Sequence, residues 1–356
     1  MIYLQELIVP EKKTVLVGLS GGVDSAFAAM RLKEMGYEVC GVHFVLPSYK
    51  GDSEKKVLQA KKVADRLSIS LMVYDGSSVF HKEVIEYFIN SYKQGLTPNP
   101  CVKCNYKFKF HLLREIAEKN GFEFIATGHY VRIKQKRGSY YLLRATEKHK
   151  DQSYFLSMLD QKTLKRCIFP VGEYFKNDLI SDANKLGLIP SNYKESQEVC
   201  FLAGRDYREL LKELIGDQGH GVIRDMDGNV LGIHDGIFNY TIGQRKGMKI
   251  SKGYPLYVKD ISIKDNEIIV APKEYIFGKE VKLSESIWHL HKRSLKGKVW
   301  LEGQIRYKQK CSRGVIEKVG TNFKFTFNEP QWAITPGQVF VGYRCDLMVI
   351  SGWITK

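Results

Sequence analysis

The sequence predicts an α/β protein built on a doubly wound parallel sheet and followed by strand-rich parts, and three observations predict it. Strand-like and helix-like patterns alternate from Thr14 to Thr127, as they do where helices cover both faces of a parallel sheet. The first strand pattern breaks at a glycine pair that opens directly into a helix pattern. From about Arg205 the composition shifts to short β-rich runs between glycines, the habit of small barrels and sandwiches.

In chain order, the β-branched and aliphatic run from Thr14 reads as a buried strand that breaks at Ser20-Gly21-Gly22. A helix pattern follows in Ala26, Phe27, Ala29, Met30 and Leu32 and ends near Met35-Gly36. Glycines let the backbone close on a bound group, so N–H groups and the helix start converge on an anion, and phosphate is the expected guest. No Gly-Lys-Ser/Thr follows, so the loop has no lysine of its own for the terminal phosphates. Glu38 to Phe44 is a second strand, which completes a right-handed βαβ unit with its crevice at the strands' carboxyl ends. Phe44 stands there, either against a nucleotide base or in the core. Lys55 to Leu67 is a helix, Ser70 to Tyr74 a strand and Phe80 to Tyr92 a helix.

Thr97-Pro98-Asn99-Pro100-Cys101-Val-Lys-Cys104-Asn105 is a loop stiffened by two prolines, with helical spacing resuming at Phe108, Leu112, Leu113 and Ile116. Cys104 is therefore expected near a helix N-terminus beside Lys103 and Lys107, both of which favour its thiolate. A Cys-x-x-Cys pair is half a zinc site, a redox pair or part of an iron-sulfur site, and no second pair completes a structural zinc site. Phe122 to Thr127 is a further strand that ends at Gly128-His129-Tyr130. There Gly128 allows close approach of a nucleotide and His129 faces the crevice or packs. Val131-Arg-Ile and Tyr140 to Arg144 form a basic hairpin, and Lys150-Asp151-Gln152-Ser153 opens a helical segment with Asp151 as its N-cap. Cys200 follows a Pro190-Ser-Asn loop. Alone it reads as a small buried hydrophobe, as do Cys40, Cys167, Cys311 and Cys345. Asp206 to Ile215 is a helix, a glycine-punctuated region runs through Val270, and short strands continue from about residue 276.

At 356 residues, 44% hydrophobic and 26% charged, the chain has the composition of a globular protein of two or three domains. Met1 to Lys13 carries no leader pattern, no span reaches membrane length, and seven cysteines suit reduced thiols. A cytoplasmic address is the expectation. The net charge of +16 is concentrated, with a net +8 in residues 101 to 150 and a net +7 in residues 292 to 313. Tyr106, Phe108, Phe110, Tyr130, Tyr140, Tyr141, Trp300 and Tyr307 lie among those charges. Cations interleaved with aromatics suit a polyanion with bases to stack, so a nucleic acid is the expected partner.

The Ser20-Gly-Gly-Val-Asp-Ser25 wording resembles the loop of the ATP pyrophosphatase (PP-loop) superfamily. The chain as a whole is similar to the tRNA-specific 2-thiouridylases of the MnmA type. The match is carried by Gly18 to Ser25, Thr97-Pro-Asn-Pro, Cys104-Asn105, Ala126-Thr-Gly-His-Tyr130, Lys150 to Leu156, Cys200-Phe201, Tyr240-Thr-Ile-Gly-Gln-Arg-Lys-Gly247, Arg306-Tyr307 and Thr335-Pro-Gly-Gln338. The resemblance implies a PP-loop catalytic domain over 1–205, a central tRNA-binding domain over 206–275 and a C-terminal β-barrel over 276–356. It implies ATP held by Gly18, Leu19, Ser20, Gly21, Gly22, Val23, Asp24 and Ser25 with Phe44 and Gly128, together with Mg2+, to adenylate the C2 oxygen of a wobble uridine. Asp24 belongs to the implied catalytic set, with Cys200 as the persulfide carrier and Cys104 as the nucleophile that ends paired with it in a disulfide. Asn99, Pro100 and Cys101 would meet the flipped-out base. His129, Lys150, Asp151, Gln152, Arg306, Tyr307 and Gln338 would meet tRNA. A sulfur-donor protein is implied as a partner, while no membrane and no oligomer are required.

The chain departs from the family at Cys101, where many members have aspartate. A third thiol there would let Cys101, Cys104 and Cys200 hold a 4Fe-4S cluster with one iron open to sulfide. Pro47 to Lys55 lacks the usual acidic and tryptophan residues, and Gly342 to Trp353 lacks the usual Gly-Gly-Gly ending. Two other readings compete. A PP-loop ligase of the lysidine synthetase kind needs no cysteine, and a non-catalytic RNA-binding protein needs neither Asp24 nor Ser25.

Overall fold

A computed structural model describes residues 13–47, 53–188, 199–202, 204–216, 219–290 and 297–356. The chain opens with β1 (Thr14–Gly18), α1 (Val23–Glu34), β2 (Glu38–Val45), α2 (Ser53–Leu67) and β3 (Ser70–Asp75). Helix α3 (Ser77–Phe80) passes through a π-helical stretch (His81–Ile85) into α4 (Glu86–Lys93). In the same way α5 (Pro100–Lys103) passes through a π-helical stretch (Cys104–Lys109) into α6 (Phe110–Lys119). Then come β4 (Phe124–Ala126), β5 (Val131–Lys136), β6 (Ser139–Arg144), α7 (Gln161–Leu164), β7 (Cys167–Ile168) and α8 (Lys176–Lys185).

The first sheet has the order β3-β2-β1-β4-β7 with every pairing parallel. β1 is central and its two neighbours leave on opposite sides, so the strand order reverses beyond the carboxyl end of β1. A crevice opens where that happens. Val15, Leu16 and Val17 are all fully buried because helices cover both faces. Val15 and Val17 pack with Ala26, Phe27 and Ala29 of α1, while Leu16 packs with Leu113 and Ile116 of α6. The doubly wound sheet predicted from the alternating patterns is the one observed.

A second sheet follows α9 (Tyr207–Ile215) and contains β8 (Gly221–Arg224), β9 (Val230–His234), β10 (Tyr257–Ser262) and β11 (Glu267–Ala271) in the order β10-β11-β8-β9. Its Ile223, Ile268 and Val270 share one apolar core with Phe80, Phe88, Phe108 and Phe201. The last strands are β12 (Phe277–Trp288), β13 (Val299–Gln304), β14 (Ser312–Val319), β15 (Asn322–Trp332), β16 (Val339–Arg344) and β17 (Leu347–Thr355). β12 pairs with both β15 and β17, which closes the barrel around Phe325, Phe327 and Phe340. Gly314 has no Cβ because one would lie 2.4 Å from the Thr326 carbonyl oxygen and 2.6 Å from the Phe325 ring.

Three differences from the sequence reading have physical causes. Helix begins at Pro100 rather than at Phe108, because proline is tolerated in a first turn and Asn99 Oδ1 accepts from Val102 N–H (3.2 Å) as the cap. The β5–β6 hairpin joins the barrel, where Leu143 pairs with Leu347 of β17. Cys345 is exposed in a left-handed turn (φ 54) instead of buried. The Pro190-Ser-Asn loop, Glu195 to Glu198, residues 48–52 of the Pro47 to Lys55 departure and residues 292–296 of the second basic stretch lie outside the described residues.

His289, just past β12, is buried. Its backbone N–H donates to the Val349 carbonyl (2.9 Å), and the ring Nε2 lies 3.1 Å from Ser351 Oγ, which donates to the Ser157 carbonyl (2.7 Å). Burial pulls its pKa from 6.5 to about 4. The folded value lies below the unfolded one, so this residue's contribution to stability is complete above pH 6.5 and is lost as pH falls toward 4. Urea denaturation at pH 7 and pH 4.5 should therefore differ by about 2–3 kcal/mol more in the native chain than in His289→Gln.

Candidate active site

The loop after β1 is braced by its own serines. Ser20 N–H donates to Ser25 Oγ (3.2 Å), Gly22 N–H donates to Ser20 Oγ (3.3 Å), and Ser25 Oγ donates to the Gly22 carbonyl (2.9 Å). Gly21 has φ +82, and a Cβ there would lie 2.9 Å from Gln59 Cβ, so the turn requires glycine. No side chain caps α1, which leaves its first N–H groups facing the crevice as an anion site. Gly128 presses against the loop, since a Cβ on it would lie 2.6 Å from the Asp24 carbonyl carbon. The Asp24 carboxylate accepts from the Tyr130 hydroxyl (2.9 Å) and from the Lys176 ammonium.

The Cys104–Lys109 stretch lies over the carboxyl edge of the sheet. Its Phe108 ring meets Phe44 at the end of β2 (5.5 Å between centroids) and leaves no room for a Cβ on Gly76 after β3 (2.7 Å). Phe44 also contacts Tyr74 (6.1 Å), so it is a half-buried wedge between two cores rather than an open platform. The three thiols are near enough for their charges to act on one another. Burial pushes Cys104 up to about 12, with Lys109 opposing and the charges of Cys200 and Cys101 adding. Burial and the Cys200 charge push Cys101 up to about 11, again with Lys109 opposing. Cys200 keeps an exposed surface but is crowded enough by protein to be raised too, with Lys109 and Lys56 pulling it down. Phe201, buried against Phe80 and Phe88 (6.0 and 5.4 Å), anchors it. Among the described residues no three His, Cys, Asp or Glu side chains form a metal-holding group. The cysteines as arranged therefore do not make the ligand set of a cluster.

The expected thiolate at Cys104 is corrected by this geometry. Cys104 lies beyond the first turn of its helix, inside the π-helical stretch and away from the N-terminus. Burial outweighs its neighbours, and the cation that acts on it is Lys109 rather than Lys103 or Lys107. Burial, with Lys109, also drives the His129 pKa far below its ordinary value, so its ring is neutral, with Nδ1 2.8 Å from Thr127 Oγ1.

The Thr97 to Pro100 loop and the Thr335 to Gln338 turn, far apart in sequence, dock on each other. Gln338 Nε2 donates to the Thr97 and Pro98 carbonyls (3.0 and 3.1 Å), Asn99 Nδ2 reaches Gln338 Oε1 (3.4 Å), and Thr97 N–H donates to the Pro336 carbonyl (3.0 Å). Asn99 is thus held at both ends, and Pro100 is buried beside it. Asp151 turns inward, accepting from Ala145 N–H (2.9 Å) and from Ser153 Oγ (2.7 Å). Gln152 and Tyr130 pair through Tyr130 N–H to Gln152 Oε1 (2.9 Å). Arg306 donates to the Ala333 carbonyl (3.2 Å), and Tyr307 lies against Phe155 (4.2 Å). Lys150 is half-buried near this group. Sequence reasoning missed Lys109 and Lys176. Neither sits in a spacing that announces it: one depends on a π-helical turn, the other arrives from α8.

Three family models match in succession. They are the tRNA methyl transferase HUP domain over residues 13–204, the tRNA methyl transferase PRC-barrel domain over 208–272, and the aminomethyltransferase beta-barrel domain over 279–354. The tRNA-specific 2-thiouridylase MnmA of Carboxydothermus hydrogenoformans is 40% identical, covering 97% of this chain and 98% of that protein. The tRNA-specific 2-thiouridylase MnmA 1 of Caldanaerobacter subterraneus subsp. tengcongensis is 42% identical over 96% and 98%. The tRNA-specific 2-thiouridylase MnmA of Treponema denticola is 40% identical over 96% and 97%.

The pKa order sets a labelling order. Iodoacetamide at pH 7.5, followed by peptide mass spectrometry, should modify Cys200 at least about tenfold faster than Cys104, because only the thiolate reacts and Cys104 is both buried and protonated. Labelling of Cys104 should rise about tenfold per pH unit from 7.5 to 9.5. A Cys104 that labels first would overturn this picture of its surroundings.

Proposed function

The chain belongs to the family of tRNA-specific 2-thiouridylases, and on that premise we propose that it uses ATP to replace the C2 oxygen of the wobble uridine in tRNA with sulfur. The matched family models carry a methyl-transfer label and the relatives a thiolation name. The cysteines favour the second. The carrying observation is that Cys104 and Cys200, remote in sequence, lie on segments anchored to one ring: Phe108 and Phe201 both contact Phe80 (5.2 and 6.0 Å), and Phe108 also contacts Phe44 at the carboxyl end of β2 (5.5 Å).

In the first step the uridine C2 oxygen attacks the α-phosphorus of ATP, and the bond to the β-phosphate breaks. Pyrophosphate leaves and the oxygen carries AMP. This is needed because an amide-like oxygen departs poorly while AMP departs well. The uncapped start of α1 and the loop N–H groups hold the charge that builds on the phosphates. Mg2+ accompanying ATP would add neutralisation of the departing pyrophosphate, and Asp24 is the loop carboxylate suited to it.

In the second step the terminal sulfur of a Cys200 persulfide attacks C2. The C2–O bond breaks, AMP leaves with the oxygen, and a C2–S–S–Cys200 link remains. The Cys104 sulfur then attacks the Cys200 sulfur, which breaks the S–S bond and leaves 2-thiouridine and a Cys104–Cys200 disulfide. A dithiol reductant supplies two electrons to reset the pair, and a protein that carries persulfide sulfur reloads Cys200. The Lys109 charge, which acts to lower the Cys104 pKa, would favour the thiolate of Cys104 when it attacks. Asn99, Pro100 and Cys101 would border the flipped base, and His129, Lys150 to Gln152, Arg306, Tyr307 and Gln338 would border tRNA. Such chemistry needs the reduced thiols of a cytoplasmic setting. Among the described residues no helix is long and apolar enough to cross a membrane.

Replacing Cys200 with serine should lower 2-thiouridine, read by mass spectrometry of tRNA nucleosides, at least about 1000-fold. The tRNA-dependent exchange of pyrophosphate into ATP should stay within about threefold. Unchanged 2-thiouridine in the variant would overturn the role of Cys200, pyrophosphate exchange without any 2-thiouridine in the native chain would point to the cysteine-free ligase, and absence of exchange in the native chain to an RNA-binding protein. Cys101, Cys104 and Cys200 would have to draw together to hold a 4Fe-4S cluster. Anaerobic reconstitution that leaves neither iron nor brown colour, with thiolation intact, supports the persulfide route; bound iron required for thiolation overturns it.

A further inference from the structure

The phosphate loop lacks a lysine in its own sequence, yet a lysine stands behind it. Lys176, at the start of α8, is only 4% exposed, and its ammonium pairs with Asp24 Oδ1. Tyr130 is 3% exposed and donates its hydroxyl to the same oxygen (2.9 Å), with its ring centroid 5.6 Å from the ammonium. The Lys176 backbone N–H donates to Glu147 Oε2 (2.6 Å), which fixes where the side chain starts. Of the three side chains only that of Asp24 is substantially exposed, at 35%. The cluster therefore opens through the carboxylate, at the crevice where the first turn of α1 presents its N–H groups.

The charges there do not suit a triphosphate as they stand. The loop offers N–H groups and two serine hydroxyls that already bond each other (3.1 Å), and the group at the mouth is an anion. A polyphosphate entering this crevice meets a carboxylate before it meets a cation, an arrangement that disfavours binding unless the buried ammonium is exchanged to the incoming anion. We propose that Lys176 is the terminal-phosphate ligand of this site: its ammonium rests on Asp24 and transfers to the β- and γ-phosphate oxygens when ATP enters. The transfer frees Asp24 at the same moment. No covalent bond is made or broken by Lys176; one ion pair replaces another. This assignment rests on the reading above that the loop takes ATP.

The test compares ligands that differ only in phosphates. ATP and AMP binding is measured by calorimetry on the full chain for the native protein, Lys176→Met and the double variant Asp24→Asn with Lys176→Met. Lys176→Met should bind ATP at least about 30-fold more weakly and AMP within about threefold of native. The double variant leaves no uncompensated carboxylate, so it reports even where the single variant fails to fold, and it should remain as weak toward ATP. Native-like ATP affinity in the double variant would reduce Lys176 to a neutraliser of Asp24 and overturn the proposal, as would equal losses for ATP and AMP. A native chain that binds no ATP overturns the proposed function together with this assignment, whereas native binding unchanged in Lys176→Met overturns this assignment alone.

Discussion

A helix that changes pitch over the carboxyl edge of the sheet sets the layout of the site. At α-helical pitch, five residues carry a side chain about 140° away from the first. In the Cys104–Lys109 stretch the hydrogen bonds reach one residue further, so residues five apart come back toward one face. That brings Lys109 round to the face of Cys104, where its charge also acts on Cys101, Cys200 and His129. The same stretch sends Phe108 into the gap between Phe44 and Phe80 (5.5 and 5.2 Å). One irregular turn thus both anchors the helix on the sheet and places a cation among the thiols.

The parallel sheet was legible in the sequence because its strands are buried on both faces and read as continuous aliphatic runs, Val15 to Val17 being the plainest. The loop was legible because Ser-Gly-Gly in register with a strand end has few other uses. Other features were not. A hairpin carries no sign of which sheet it will join, so the pairing of Leu143 with Leu347 could only be seen in three dimensions. The pKa of Cys104 went against the sequence reading because burial, a tertiary property, outweighed adjacent lysines that point elsewhere. Lys109 is hidden from any α-helical pattern by the pitch change itself.

The barrel and the sheet complete each other. Gln338 and Pro336 from the barrel clamp the loop that carries Asn99, and the first half returns the β5–β6 hairpin to the rim of the barrel. Buried side chains repeat the exchange: the Tyr154 hydroxyl donates to the Val339 carbonyl (2.8 Å), and Ser153 Oγ lies 2.9 Å from the Tyr343 hydroxyl. The rigidity of the Thr97 to Pro100 loop therefore depends on the C-terminal strands as much as on its own prolines. This gives the Thr335-Pro-Gly-Gln338 turn a role in holding Asn99, whether or not it also meets RNA.

The same exchange explains why the charge is placed where it is along the sequence. Two stretches far apart carry most of the excess, net +8 in residues 101 to 150 and net +7 in residues 292 to 313. Their described parts meet in the fold: Arg144 Nη2 donates to Cys311 Sγ (2.7 Å), and Tyr307 lies against Phe155 just beyond the first stretch. Like charges brought together repel, and a fold selected only for stability would have kept them apart. Part of the excess is relieved locally, as where Asp346 takes both Arg132 (2.7 Å) and Lys148 (2.6 Å). The remainder leaves this part of the molecule net positive, the sign of charge that attracts a polyanion.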